Sequence, residues 1–382
     1  MLKTIKLKNF RGFKSFKLQQ LGRVNLLVGT NNSGKTSVLE AIQLLCGRNN
    51  LDSLIEIMKN RGEYFVGDDG KGEPELDIRH LFYGHEIELG SQFSISGTNK
   101  KTLEESIEGT IGLRSIGSKY DSSRSFEEET ISLTEKSFDS DLNDLKGLNI
   151  SIKWVPGEEE DKRDLLLSPN GGLSFNSARR WRLISKQKKI ATRTQFVTSS
   201  SLTTEKMIEL FDQVVLTPEE KLVQEALQVI EPRIERIASV SSNQYRRSDS
   251  RGAFVVRLSD SDQRVPIGSM GDGLWRILGL ALATVSAEGG VLFVDEIDTG
   301  LHFSTMSDMW KLICETSKRL NVQVFATTHS SDCWTSLANI ASQEDVAEDG
   351  ITIQRIERGK EEGIVFNERE IVIAAEQGIE VR

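Results

Sequence analysis

Eight consecutive residues, Gly29-Thr30-Asn31-Asn32-Ser33-Gly34-Lys35-Thr36, match the pattern GxxxxGK[ST]. Glycines at these positions let a backbone wrap tightly, so that its amide N–H groups face a polyphosphate. A lysine at the seventh position reaches the β- and γ-phosphates, and a hydroxyl at the eighth suits a magnesium ion. The residues set to touch the nucleotide are Gly29, Asn31, Asn32, Ser33, Gly34, Lys35, Thr36 and the following Ser37.

A second constellation lies far along the chain. Val291-Leu292-Phe293-Val294 is an apolar run that ends in Asp295-Glu296. Two acids at a strand end are common on solvated surfaces. Paired with a phosphate loop they acquire chemistry, in which Asp295 holds Mg²⁺ through water and Glu296 polarises the attacking water. Ala326-Thr327-Thr328-His329-Ser330 closes the next apolar run. A lone histidine is usually structural, but at the carboxyl end of a sheet strand His329 is within reach of a γ-phosphate. Ser269-Met270-Gly271-Asp272-Gly273 stands one helix ahead of the 291–294 run. It reads either as an ordinary capped turn or as a phosphate-binding helix start with Ser269 and Gly271 at the anion.

These residues need elements to place them. Val24–Val28 reads as a strand entering the glycine loop, and Val38, Ala41, Ile42 and Leu45 mark one face of the helix that leaves it. Leu274, Ile277, Leu278, Ala281, Leu282 and Val285 do the same for a helix after Gly273. The runs 291–294 and 322–326 lack clean alternation and read as strands buried on both faces of a sheet. Residues 204–240 read as helical, with Thr217 as N-cap, Pro218 at the first position and Glu220 completing a capping box. The fold class is therefore α/β: a P-loop NTPase with a mixed sheet, an antiparallel β lobe and an inserted helical segment. The expected division is 1–98 and 241–382 for the two parts of the head, 99–203 for an inserted β/loop region and 204–240 for the helical segment.

Phosphate loop, SxGxG turn, acidic strand end and switch histidine stand in the order of ABC ATPases. Asn9-Phe10-Arg11-Gly12-Phe13 resembles the NFRxF opening of the SMC, RecF and OLD families. The resemblance implies an ABC-type head that binds and hydrolyses ATP with Mg²⁺. It implies a homodimer or higher oligomer in which ATP lies between one chain's P-loop and the other's signature turn. Ser269 and Gly271 then act in trans, Arg11 lies near its own chain's nucleotide, and Asp298 sits in the D-loop. The turn lacks the LSGGQ of transporter ATPases, and neither a CxxC hook nor a long coiled coil is present. His85 and Gln92 are both candidates for the Q-loop residue, and the pattern does not choose between them. His80, His85, His302 and His329 are scattered and form no nuclease motif, which puts any nuclease on another polypeptide. Compact ATPases of this kind often serve DNA repair or paired anti-phage defence, with a separate effector.

Composition narrows the classes further. The net charge of −9 gives no general attraction to nucleic acid, so DNA contact needs a local patch. Residues 1–39 and 176–193 contain no acid, and the second stretch sets Trp181 among Arg179, Arg180, Arg182 and Lys188. Such a run is either a solvated face or a DNA-stacking surface. Cys46, Cys314 and Cys333 are isolated, which argues against a zinc site or a disulfide framework and fits the cytoplasm. The longest apolar stretch, 277–287, is far shorter than the roughly 20 residues a membrane span requires.

Overall fold

The structure is a computed structural model that describes residues 1–48, 50–66, 74–101, 103–115, 146–156, 161–168, 170–176, 192–240, 251–343 and 350–382. A six-stranded sheet forms its centre. Its order is Thr194–Val197, Val291–Val294, Gln323–Thr327, Val24–Val28, Ile351–Arg355 and Ile364–Asn367. The first five strands run parallel and the last is antiparallel. Val24–Val28, Val291–Val294 and Gln323–Thr327 are buried at every position, as a sheet covered on both faces requires.

Alternate residues of these strands feed two separate cores. Val24, Leu26, Leu292, Val294, Val324 and Ala326 pack with the helices Asp272–Ser286, Met306–Arg319 and Ser331–Gln343. Leu27, Phe293 and Phe325 face the other way, onto the helix Lys35–Gly47 and a second sheet. That second sheet is antiparallel, in the order Phe13–Leu18, Leu2–Phe10, Gln92–Asn99, Glu104–Ser115, Lys146–Pro156 and Asp161–Leu166. A boundary at 98/99 therefore does not follow the fold, because Gln92–Asn99 and Glu104–Ser115 are neighbours in one sheet. A boundary at 203 does not follow it either, since Thr194–Val197 is an edge strand of the central sheet.

Two buried amides explain polar residues inside apolar strands. Gln323 accepts from the Leu2 amide at 2.8 Å and donates to the carbonyls of Leu2 and Gly22 at 2.9 and 2.8 Å. Asn25 donates to the carbonyls of Gly22 and Val324 and accepts from the Thr352 hydroxyl. Each satisfies main-chain groups where the two sheets meet, at a place without water.

The expected helical segment 204–240 is two helices and a strand. Thr204–Val214 and Glu220–Ile230 are helical, whereas Ile234–Ser239 pairs with Phe254–Leu258. The capping box at Thr217 does not form: the Thr217 hydroxyl donates back to the Val214 carbonyl, and Glu220 accepts from the Leu216 amide. Both side chains close the preceding turn instead. Among the described residues no helix is long and apolar enough to cross a membrane.

Candidate active site

The central strand Val24–Val28 delivers the glycine loop to the carboxyl edge of the sheet, where ligands of open α/β folds bind. Gly34 has φ +98°, and a Cβ there would lie 2.4 Å from the Phe13 ring. The loop thus sits directly on the antiparallel sheet, and only glycine fits. Lys35 is buried at 5% exposure. Its Nζ donates to the carbonyls of Gly29 and Thr30 at 2.8 and 3.0 Å and lies 3.4 Å from Nδ1 of His329. Burial lowers the Lys35 pKa, opposed by the charges of Asp295 and Glu296. Burial, and next the Lys35 charge, lower that of His329. A neutral imidazole whose Nδ1 faces an ammonium accepts a hydrogen bond rather than donating one.

The acidic strand end meets the loop here. The Thr36 hydroxyl donates to both carboxylate oxygens of Asp295 at 3.1 Å, and Thr327 donates to the same carboxylate at 2.7 Å. The Thr327 hydroxyl in turn accepts from the Glu296 amide at 2.8 Å. Glu296 has φ +47°, a left-handed turn that side chains rarely adopt. Asp298 accepts from the Thr328 hydroxyl. Lys35, Thr36, Asp295 and His329 are therefore joined by direct contacts, and Glu296 and Asp298 follow on the same turn. A hydroxyl and a carboxylate at 3.1 Å are an all-oxygen donor pair, which fits Mg²⁺ completed by water and phosphate. Among the described residues the buried Ser33 hydroxyl has no hydrogen-bond partner.

Ser269 and Gly271 stand apart from this cluster. Both are exposed, at the start of Asp272–Ser286, which has no side-chain cap. Gly273 in the first turn backs onto the Gly300 carbonyl, 3.3 Å from where its Cβ would be. Residues 271–273 and the segment after Asp298 thus form one surface.

Arg11 is placed differently from a nucleotide ligand. At 3% exposure it makes a bidentate pair with Glu63 at 2.6 and 2.9 Å and a further ion pair with Glu40. Glu40 also binds Arg61, which donates to the Ser37 hydroxyl at 3.3 Å. Arg11 is thereby linked to the P-loop helix through Glu40 and Arg61. Burial raises the Glu40 pKa, against the pull of both arginines.

Neither Q-loop candidate lies in the central sheet. Gln92 opens an antiparallel strand and His85 sits in an exposed turn. The strand beside Val291–Val294 is Thr194–Val197, which leads into Thr198-Ser199-Ser200-Ser201. These four residues line a cavity of about 820 Å³ together with Thr36, Glu40, Arg61 and Asp295. The signal of this strand, Thr194-Gln195-Phe196-Val197 within a basic and polar stretch, was too short to stand out in sequence. Arg276, Thr327 and Thr328 were also missed as site residues, because each supports a neighbour from within an apolar element. Trp181 and the basic residues from Arg179 to Lys188 lie outside the described residues.

The family model for the AAA ATPase domain matches residues 1–333. The chain is similar to an "ATP/GTP phosphatase" of Helicobacter pylori, at 24% identity over 363 residues, covering 91% of this chain and 90% of that one. It is similar over 106 residues to the DNA replication and repair protein RecF of Caldanaerobacter subterraneus subsp. tengcongensis, at 32% identity, covering 27% of this chain and 29% of RecF. Among solved structures, an Smc head domain with an extended coiled coil, bound to the C-terminal domain of ScpA derived from Pyrococcus furiosus, aligns with TM-score 0.46 at 10% identity, covering 99% of both chains. With a P-loop, an Asp-Glu strand end and a histidine assembled at one sheet edge, the chain belongs to the AAA ATPase domain family and is an ATPase.

Proposed function

We propose that two copies of this chain close head to head around ATP, and that the hydrolysis cycle gates a separate effector on DNA. The observation that carries this is the exposed, uncapped helix start at Ser269–Gly271. A helix start without a side-chain cap suits an anion, and this one shares a surface with the segment after Asp298. In the chain's own site Lys35 holds the phosphates, while Gly29, Asn31, Asn32, Ser33, Gly34 and Ser37 surround them. Bound Mg²⁺ would neutralise developing charge on the phosphate oxygens, held by Thr36 and, through water, by Asp295. Glu296 orients water for attack. His329 accepts from Lys35 at Nδ1 and donates from Nε2 to the γ-phosphate. Ser269 and Gly271 of the second copy close the site, and Asp298 lies at the seam.

The relative called an ATP/GTP phosphatase supports γ-phosphate hydrolysis as the reaction. The local likeness to RecF supports DNA as the setting. An OLD-like role in anti-phage defence, with a nuclease as effector, is the pathway we favour from the opening Asn9–Phe13 motif. A RecF-like clamp that holds DNA without an effector is the competing reading, and it predicts DNA-stimulated turnover by the purified chain alone. Turnover that requires a co-purifying protein favours the effector.

A mixing experiment tests the shared site. Lys35→Ala and Ser269→Arg each inactivate both sites of their own homodimers. A mixed dimer keeps one site with intact Lys35 and intact Ser269. Random exchange makes about half the dimers mixed, so roughly a quarter of wild-type sites return on co-expression. Recovery of ATP hydrolysis toward that fraction supports sharing. No recovery, together with no ATP-dependent cross-linked dimer, places the whole site in one chain.

A further inference from the structure

The helix Asp272–Ser286 carries a charged residue where its neighbours are apolar. Arg276 is 3% exposed, between Trp275 and Ile277, which are buried too. Its guanidinium makes no carboxylate pair among the described residues and instead donates to four main-chain carbonyls. Nη1 reaches the carbonyls of Thr198 and, at 3.5 Å, Ser199. Nη2 reaches those of Asp295 and Glu296 at 3.0 and 2.9 Å.

The two pairs of acceptors directly follow a register pair. Val197 pairs with Val294 in the parallel sheet, and the Asp295 amide donates to the Val197 carbonyl at 2.8 Å. Thr198 and Ser199 therefore continue alongside Asp295 and Glu296 as the two strands end. One planar fork spans both strand ends, a geometry a lysine ammonium cannot copy.

Stability alone does not account for an arginine here. Burial pulls its pKa down to about 10, and its Nε is buried without a hydrogen-bond partner. An apolar side chain of similar volume avoids both costs. What the guanidinium does supply is a rigid link between the signature helix and the peptide of Glu296, a residue already held at φ +47°. The same helix begins at Gly271, exposed and at φ +95°.

We propose that Arg276 is a positioning residue that couples the seating of the signature helix to the orientation of the Glu296 turn. The inference rests on the reading in which that helix meets a second copy's ATP. A partner nucleotide that draws in the start of Asp272–Ser286 moves Arg276 with it, and the fork carries the shift to the carbonyls of Asp295 and Glu296. Chemistry is then aligned only when the far side of the sandwich is complete.

The test uses the full chain with Arg276→Lys and Arg276→Met. Affinity for a fluorescent ATP analogue should stay within about twofold, because the fork does not touch the phosphate loop. The value of kcat should fall about 100-fold, the scale of an ångström-level misplacement of a reacting group. Hydrogen exchange at residues 295–299 should slow on ATP addition in wild type and should not slow in either variant. The unfolding midpoint of Arg276→Met should be unchanged or higher, which a merely structural role does not allow. In case both substitutions impair folding, Ser269→Arg provides a second route with Arg276 intact: ATP should bind but leave exchange at 295–299 unprotected. Retained kcat in the Arg276 variants, loss of kcat only in step with ATP affinity and unfolding midpoint, or ATP protection persisting in Ser269→Arg overturns the coupling. A wild-type chain that remains monomeric with ATP overturns the dimer reading instead.

Discussion

Gly34 and Gly271 each stand before a helix with nearly the same positive φ, +98° and +95°. Their surroundings differ. A Cβ on Gly34 would strike the Phe13 ring at 2.4 Å, whereas a Cβ on Gly271 meets nothing within 4 Å. Lys35 beside Gly34 is buried and bonded to two carbonyls and close to His329, while Ser269 beside Gly271 is exposed. The first turn is finished by its own chain, and packing against the antiparallel sheet fixes its shape. The second leaves its anion-facing side to solvent. Two helix starts that share a positive φ but differ in ψ, 12° against 165°, thus present a packed cradle and an open one.

The sharpest way to separate them is to stop the chemistry while leaving both cradles in place. Glu296→Gln keeps the shape of the acid but not its ability to polarise water. Turnover should fall about 10²–10⁴-fold, with ATP affinity retained and an ATP-bound assembly larger than the free form accumulating in size-exclusion chromatography. Near wild-type hydrolysis removes Glu296 from its role.

Placing alanine at the two glycines probes the comparison itself. Gly34→Ala combines an unfavourable φ with a clash against Phe13, for about 2–4 kcal/mol of lost stability in urea unfolding. ATP binding should be lost with it. Gly271→Ala has space but puts a side chain at φ +95° and ψ 165°, a region almost confined to glycine, for about 1–3 kcal/mol without the added clash. It should keep ATP affinity and lose turnover. Equal destabilisation by the two substitutions contradicts the distinction between the cradles.

The smallest expected effect is on pH dependence. His329 is held below its ordinary pKa of 6.5 by burial and by Lys35. As the pH falls through 6.5, the unfolded chain takes up this proton more readily than the folded one. Stability is therefore highest above that value and declines below it. His329→Gln should flatten this decline between about pH 7 and 5, read from urea midpoints across the range. An equally steep decline in the variant assigns it to other groups.

How far these features could be read without coordinates depended on how local their signals are. The P-loop, the Asp295-Glu296 strand end and the His329 strand end each carry their chemistry within ten residues, and direct contacts join all three. The central strands were legible because they are uniformly apolar. Thr194–Val197 was not, since an edge strand of four residues in a basic and polar stretch has no period to detect. The single sheet that joins Leu2–Phe10 to Gln92–Asn99 was hidden for another reason: strand partners far apart in sequence leave no mark in either segment. Thr217 failed as an N-cap because its hydroxyl found a closer acceptor in the helix before it. The environment of Arg11 was equally non-local, being set by Glu40 and Glu63.

The place of Val24–Val28 in the central sheet has a consequence for how the chain is made. Its two neighbours are Gln323–Thr327 and Ile351–Arg355, and Asn25 bonds to groups in both. The strand that carries the P-loop leaves the ribosome ahead of the partners that flank it, which follow some 300 residues later. Such late pairing is slow, and it leaves an apolar strand waiting for its sheet. A chain that stops short of Gln323 carries the P-loop motif without the two strands that flank it in the sheet.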